Sequence, residues 1–350
     1  MFSTHKDSIA HASDHASLQA WKDFSLRFWE EHVPVKAEQS CSQLFHSGFY
    51  RSRAALYDLA ENDLNAYLSD YQALRLQSVN QKYQTVLSDR VLCGHVLANY
   101  VEVDKSVCIV SKNGAQWLEP PWWTMKTPVP SVVQVHSITP DNHARYRKIN
   151  LTEKSGSLVS QQTFINQLIE EAQEHSEALI ISTTPEQHSW LTTVSPHGYH
   201  LLHVLLVREP EGLPEIAAAS LTVGTQATPS NIPARVEDGA LSASINPQTG
   251  LITACRALTE QGVIETYLQH PDTGQTLIGE HLPNWAAIRK ALLRFFDESS
   301  YLHVCSLSFV VTETGISFFG TNTDVIATHQ MHQPLLEHPG IANHANTIDS

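Results

Sequence analysis

Three polar turns set the limits on what this chain can fold into. Lys112-Asn113-Gly114, Asn246-Pro-Gln-Thr-Gly250 and Glu313-Thr314-Gly315 each separate two apolar, strand-like runs. Asn-Gly, or a glycine ending a longer loop, supplies the left-handed backbone that closes an antiparallel hairpin. The paired runs are 107–110 with 116–118, 239–245 with 251–255, and 304–311 with 316–319; further strands are expected over 131–136, 178–181, 200–207 and 216–223. Single helices fall between them. Phe164, Ile165, Leu168, Ile169 and Ala172 share one helical face, and 285–296 is amphipathic. Hairpins interleaved with lone helices specify α+β lobes and argue against a doubly wound parallel sheet.

The first 86 residues carry a different signal. Leu18, Trp21, Ser25 and Phe28 recur at helical spacing with Phe24 and Trp29 alongside, while Lys22, Asp23, Arg27 and Glu30 face outward. Two more helical stretches are expected over 54–70 and 71–87, and the aromatic stripe is read as helix-on-helix packing. Ser88 or Asp89 then caps a helix over 90–100. The proline- and tryptophan-rich run 119–130 suits neither helix nor central strand, so it is expected as a surface crossing, with Trp117, Trp122 and Trp123 packed beneath it. From His332 onward the chain is polar and is expected as a loosely held tail.

Charge excludes one class of function. Lys and Arg number 22 against 36 Asp and Glu, a net −14, which is the wrong sign for binding nucleic acid or anionic lipid. The five cysteines (Cys41, Cys93, Cys108, Cys255 and Cys305) have no CxxC spacing, so neither a zinc knuckle nor a disulfide framework is expected. With no signal-type apolar stretch and no run of about 18 apolar residues, the expected setting is the cytoplasm, without a membrane segment. The 20 histidines are scattered and are read as surface or core residues.

From residue 87 to about 335 the order of motifs resembles the sugar-transfer-associated ATP-grasp family, related to α-L-glutamate ligases. The most specific segment is His270-Pro-Asp-Thr-Gly274, followed by Ile278-Gly279 and Leu282-Pro283-Asn284-Trp285. Collinear with it are Leu87-Ser-Asp-Arg-Val-Leu92, Gln187-His188 through Ser195-Pro196, Ser230-Asn231 with Gly239 and the 246–250 turn, and Asn322, Asp324, Gln330 and Pro334. The resemblance implies an α+β, ATP-grasp-like two-lobe fold with an N-terminal helical region: residues 1–86 helical, 87–176 the small lobe and connector, 177–335 the large lobe, and 336–350 a polar tail. It implies ATP and Mg²⁺ as cofactors, and carboxylate–amine ligation through an acyl phosphate.

On that resemblance a retained nucleotide would meet Arg90, Lys148, Ser182, Thr183 and Asn231. A substrate cleft would be lined by Gln134, His203, Asp238, Gly239, His270, Asp272 and Ser308, and a retained metal would meet Asn322 and Asp324. Several of these residues depart from the family pattern. Gln134 stands at the phosphate-binding lysine, His203 at an arginine, and Ser308 and Gly320 at two metal-binding carboxylates; Arg90 replaces a lysine and keeps its charge. A different registration, with Lys148 and Lys154-Ser-Gly-Ser157, restores a lysine and a short loop. Phosphoryl transfer needs cations on the transferring group, and losing one typically costs on the order of 10²–10⁵ in rate. Two readings follow: a binding or scaffold protein acting on a small molecule or a partner protein with little ATP-driven chemistry, or an atypical ligase in which Arg90, Lys148 or Lys126 and Asn322/Asp324 take over. Beside both stands the plain alternative that His270–Gly274 is a structural turn, with His203 a strand histidine bonded to a neighbour.

Overall fold

The computed structural model describes residues 15–31, 41–59, 61–119, 132–138, 146–150, 158–229, 232–259, 261–321 and 325–349. Thirteen strands are present among them: β1 (Glu102–Val103), β2 (Ser106–Ser111), β3 (Gly114–Trp117), β4 (Val132–Ser137), β5 (Arg147–Asn150), β6 (Leu179–Thr183), β7 (Leu201–Arg208), β8 (Pro214–Val223), β9 (Leu241–Ile245), β10 (Ile252–Leu258), β11 (Ile264–Thr266), β12 (Val304–Thr312) and β13 (Gly315–Thr321). They form an eight-stranded sheet in the order β1-β13-β12-β7-β8-β9-β10-β11 and a five-stranded sheet in the order β3-β2-β6-β4-β5. Every strand pair is antiparallel except β1 with β13. The helices that matter below are α1 (His15–Glu30), α2 (Arg90–Leu97), α3 (Leu158–Glu174), α4 (Trp285–Glu298) and α5 (Pro339–Asp349).

The three turns close hairpins as expected. At the second, Asn246 Oδ1 accepts from the N–H groups of Gln248 and Thr249, and Gly250 takes φ 78° to bring the chain back. A side chain at Gly250 would collide with Trp285, whose ring begins 2.4 Å from the position of a Cβ. Glycine is needed there for two reasons, conformation and space.

Alternation along the strands sorts the faces. In β7, Leu202, Val204 and Leu206 meet Ile288, Leu292, Phe295 and Phe296 of α4. The opposite face is divided. Leu205 and Val207 are covered by the N-terminal region and α5, while Leu201 turns toward the smaller sheet. In β4, Val133 and Val135 pack on Phe164, Ile165 and Leu168 of α3. Gln134 and His136 therefore face the large sheet, and the two sheets meet across a polar and aromatic seam.

Several expectations change. The predicted helices over 54–70 and 71–87 are broken into short turns, because Asp58 and Gln81 adopt φ 46° and 49°, which an α-helix cannot pass through. In α1, Phe24 and Phe28 are fully buried but Leu18 and Trp29 are exposed. The expected loose tail contains α5, since Ile341, Ala345 and Ile348 recur at i, i+4 and i+7 and dock on Leu205 and Val207. The five-stranded sheet takes in β6 and so extends past 176, whereas β1 at 102–103 joins the large sheet.

Candidate functional site

Register places the residues singled out from sequence in two facing rows. In the small sheet, Gln134 is paired with Lys148 on one side and Ser182 on the other, so all three project from one face. In the large sheet, Gly320, Ser308, His203 and Ser220 are successive cross-strand partners over β13, β12, β7 and β8. Gln134 lies in one of these rows, and His203, Ser308 and Gly320 lie in the other.

Asp104, which the sequence reading missed, organises the middle of the seam. It lies between β1 and β2 and accepts hydrogen bonds from Arg90 Nη2 at 3.2 Å, from Ser317 Oγ at 2.7 Å and from the Gln134 side-chain amide. Tyr146 O–H donates to Gln134 Oε1 at 3.2 Å. Burial pushes the Asp104 carboxyl above the usual carboxylate range, opposed by the Arg90 guanidinium and by the hydrogen bonds from Ser317 and Gln134. Arg90 also lies over the Phe318 and Phe319 rings, and its Nη1 is 3.5 Å from where a Cβ on Gly320 would be. The guanidinium thus sits beside Gly320, held by the chain's own residues. Asp89 begins α2 by accepting from the N–H groups of Val91 and Leu92, which fixes the neighbouring Arg90.

Around this pair lies an aromatic cluster. His136, Tyr146, Tyr199 and Phe319 stand with centroids 4.6–6.0 Å apart, and Tyr146 and Tyr199 are stacked at 12°. Lys148 Nζ sits 3.4 Å from the centroid of the Tyr199 ring. Among the described residues the Lys148 amine has no ion pair, and burial lowers its pKa to about 8. Among the described residues Ser182 Oγ, Thr184 Oγ1 and Tyr199 O–H are buried without a hydrogen-bond partner. Thr183 is used otherwise: its N–H donates to Lys105 O and its Oγ1 accepts from Lys105 N–H.

His203 is a satisfied strand histidine. Its Nδ1 lies 2.8 Å from Ser308 Oγ and its Nε2 3.2 Å from Thr222 Oγ1. At Ser308 and Gly320 this part of the seam offers a hydroxyl already bonded to His203 and a glycine beside a guanidinium, neither of them an anionic ligand for a hard divalent cation. Asn231, Asn322, Asp324, Lys126, Trp122 and Trp123 lie outside the described residues.

The His270–Gly274 segment is a turn bonded to two other segments, the loop at 224–226 and the chain at Val194. His270 is fully buried with Nε2 2.8 Å from Gly224 O, Asp272 Oδ2 accepts from Gln226 N–H at 2.7 Å, and Thr273 Oγ1 donates to Val194 O at 2.7 Å. Gly274 closes it at φ 69°. Asp238 forms an ion pair with Arg235, and Gly239 takes φ 85° at the end of that turn. Asp272, Gly239, Gln226 and Tyr267 line a cavity of about 480 Å³ on the large lobe. Between cavity and seam stands His200, bonded to Gly224 N–H and to Ser195 O, its pKa lowered to about 4 by burial and then by His270 and Lys148.

One signal in the sequence did mark the seam: polar Gln134 and His136 alternate with buried valines in β4. Asp104, Tyr146, Tyr199 and Phe319 carried no such mark.

Comparison with known proteins adds the family. The sugar-transfer associated ATP-grasp profile matches residues 138–346. Among solved structures, D-alanyl-alanine synthetase A from Vibrio cholerae aligns at TM-score 0.42 and 12% identity, over 77% of this chain and 67% of its own. VanG D-Ala:D-Ser ligase from Enterococcus faecalis aligns at 0.41 and 9%, over 77% and 63%. The D-alanine-D-alanine ligase from Coxiella burnetii aligns at 0.36 and 12%, over 86% and 68%. No curated protein matches the chain. Among the described residues no helix is long and apolar enough to cross a membrane.

Proposed function

Since the chain belongs to the sugar-transfer associated ATP-grasp family, we propose that it keeps the ATP-grasp frame as a binding or scaffold protein and carries out little ATP-driven ligation. The observation that carries this reading is the Arg90–Asp104–Gln134 network. The cation that would face a phosphate is neutralised by a carboxylate of the same chain, 3.2 Å away and buried. A triphosphate entering here would have to displace that carboxylate, part the aromatic cluster, and manage without the lysine and the two carboxylates at Gln134, Ser308 and Gly320. Loss of several transition-state contacts together leaves little phosphoryl transfer, even allowing for non-additivity. The free cysteines, four of them buried, suit a reducing compartment and the cytoplasm. Calorimetry and thermal shift with Mg·ATP test the reading. Neither heat nor stabilisation is expected at millimolar nucleotide, and micromolar Mg²⁺-dependent binding would refute it.

One observation favours a second reading, an atypical carboxylate–amine ligase. Lys148 presents a half-buried amine without a counter-charge among the described residues, over the Tyr199 ring and on the same sheet face as Ser182, whose hydroxyl has no partner among those residues. If Lys148 takes the lysine role, ADP release with some amino acid or amino sugar is expected, and Lys148→Met abolishes it. A screen of such acceptors without turnover, on folded protein, leaves this second reading without support.

A further inference from the structure

The geometry points to a divalent-cation site of zinc type, formed by Glu209, Glu215 and His338 on the side of the large sheet away from α4. Glu209 follows β7, Glu215 lies in β8, and His338 immediately precedes α5. Each offers a ligand atom within 4.8 Å of the others. The imidazole stands between the two carboxylates, its Nδ1 3.8 Å from Glu209 Oε1 and its Nε2 3.6 Å from Glu215 Oε2. Only one ring nitrogen binds a given ion, and in a tetrahedral shell with bonds of about 2.1 Å ligand atoms lie about 3.4 Å apart, so the carboxylate side chains must rotate toward that one nitrogen to close the shell, with water as the fourth ligand.

Charge supports an occupant. Two carboxylates converge here, and among the described residues neither has a lysine or arginine partner; Arg208, the nearest cation in sequence, spends its donors on the carbonyls of Gly212, Phe296, Ser299 and Leu302. Glu211 adds a third negative charge nearby. Among the described residues His338 Nδ1 is buried without a hydrogen-bond partner. Gly340 permits the approach, since a Cβ there would come 2.9 Å from Glu209 Oε1. Mixed carboxylate and imidazole donors suit zinc or manganese, whereas magnesium and calcium favour oxygen alone. The ion would fasten α5 to the β7–β8 hairpin.

Tag-free full-length protein, stripped of metal with a chelator, tests this with zinc chloride as the probe. One equivalent is expected to bind at micromolar affinity or better, at least tenfold more weakly in Glu215→Gln and His338→Gln. Glu215 is 39% exposed, so its variant keeps the core intact. His281→Gln, which removes an exposed histidine elsewhere, leaves binding unchanged. Hydrogen exchange over 339–349 slows on adding zinc to wild type but not to Glu215→Gln. Less than one equivalent, equal weakening by His281→Gln, or bound zinc with no change in exchange over α5 each overturns the site.

Discussion

Asp104→Asn is the sharpest probe of the seam. The Asp104 side chain is 4% exposed and that of Arg90 11%, so their pairing is dry. The substitution is nearly isosteric, and the Asn carbonyl can still accept from Arg90 and Gln134 while its amide faces the Ser317 hydroxyl, but it removes the only carboxylate within hydrogen-bond reach of Arg90 among the described residues. Leaving one partner of a buried pair uncompensated costs about 3–5 kcal/mol. The Phe318 and Phe319 rings under Arg90 recover part of that, on the order of 1 kcal/mol. A net loss of about 2–4 kcal/mol, at ~2–3 °C per kcal/mol for a domain of this size, is a fall in Tm of about 4–12 °C. The assay is thermal unfolding by circular dichroism, run beside Arg90→Met and the double variant Arg90→Met/Asp104→Asn. Replacing both charges by neutral groups of similar volume should recover much of the loss, because the desolvation of both ions disappears with them. If Asp104→Asn falls within 1 kcal/mol of wild type, or the double variant is as unstable as the sum of the singles, the pair is not coupled. The reasoning about a self-neutralised cation then fails.

Other outcomes follow from the same coordinates. Among the described residues His329 has neither ring nitrogen hydrogen-bonded, and burial lowers its pKa from 6.5 to about 3. Between those pH values the unfolded chain binds a proton that the folded chain refuses, so stability falls as pH drops through this window. His329→Leu should therefore gain about 2 kcal/mol more at pH 5 than at pH 8, read by urea unfolding; an equal gain at both pH values contradicts it. The Lys148 amine should titrate near pH 8 by NMR of ¹³C-methylated protein, with the resonance assigned by its loss in Lys148→Met; a midpoint near 10.5 would show a solvated amine. Because its folded pKa is depressed, Lys148 should also make stability rise between pH 8 and 10.5, and Lys148→Met should flatten that rise. Gly250→Ala should cost about 2–4 kcal/mol, combining a left-handed alanine with a collision against Trp285, and a loss under 1 kcal/mol would mean the hairpin simply shifts aside.

What the sequence disclosed depended on how local each cause was. The hairpins at Gly114, Gly250 and Gly315 were legible because turn chemistry acts within a few residues and the flanking runs alternate. Helix α2 was legible from Asp89 for the same reason. The breaks at Asp58 and Gln81 were not, since nothing in composition marks a non-glycine residue that tertiary packing holds at positive φ. α5 was hidden by its polar average, although Ile341, Ala345 and Ile348 carry the stripe. The seam was half legible. Gln134, His203, Ser308 and Gly320 were placed in one region by collinear motifs, and the sheet registers bring them there. Asp104 stayed invisible because β1, only two residues long, is fixed by pairing Glu102 with Ser317, a contact far away along the chain. The partner that occupies Arg90 could not be read from a motif that names only Arg90. His270 shows the reverse case: a motif specific enough to suggest the family, whose residues here tie loops together.

The short passage from β1 to β2 has a mechanical corollary. Val103 ends in the eight-stranded sheet and Ser106 begins the five-stranded one, so Asp104 and Lys105 are all the chain allots to that crossover. The return passage after β6 is clasped to it through Thr183 and Lys105. A swing of one lobe against the other bends the backbone within Asp104–Lys105 and the passage after β6, while the side chain of Asp104 bolts Arg90, Gln134 and Ser317 together. Pivot and fastener share a residue, and the lobes cannot part without first undoing their own axle.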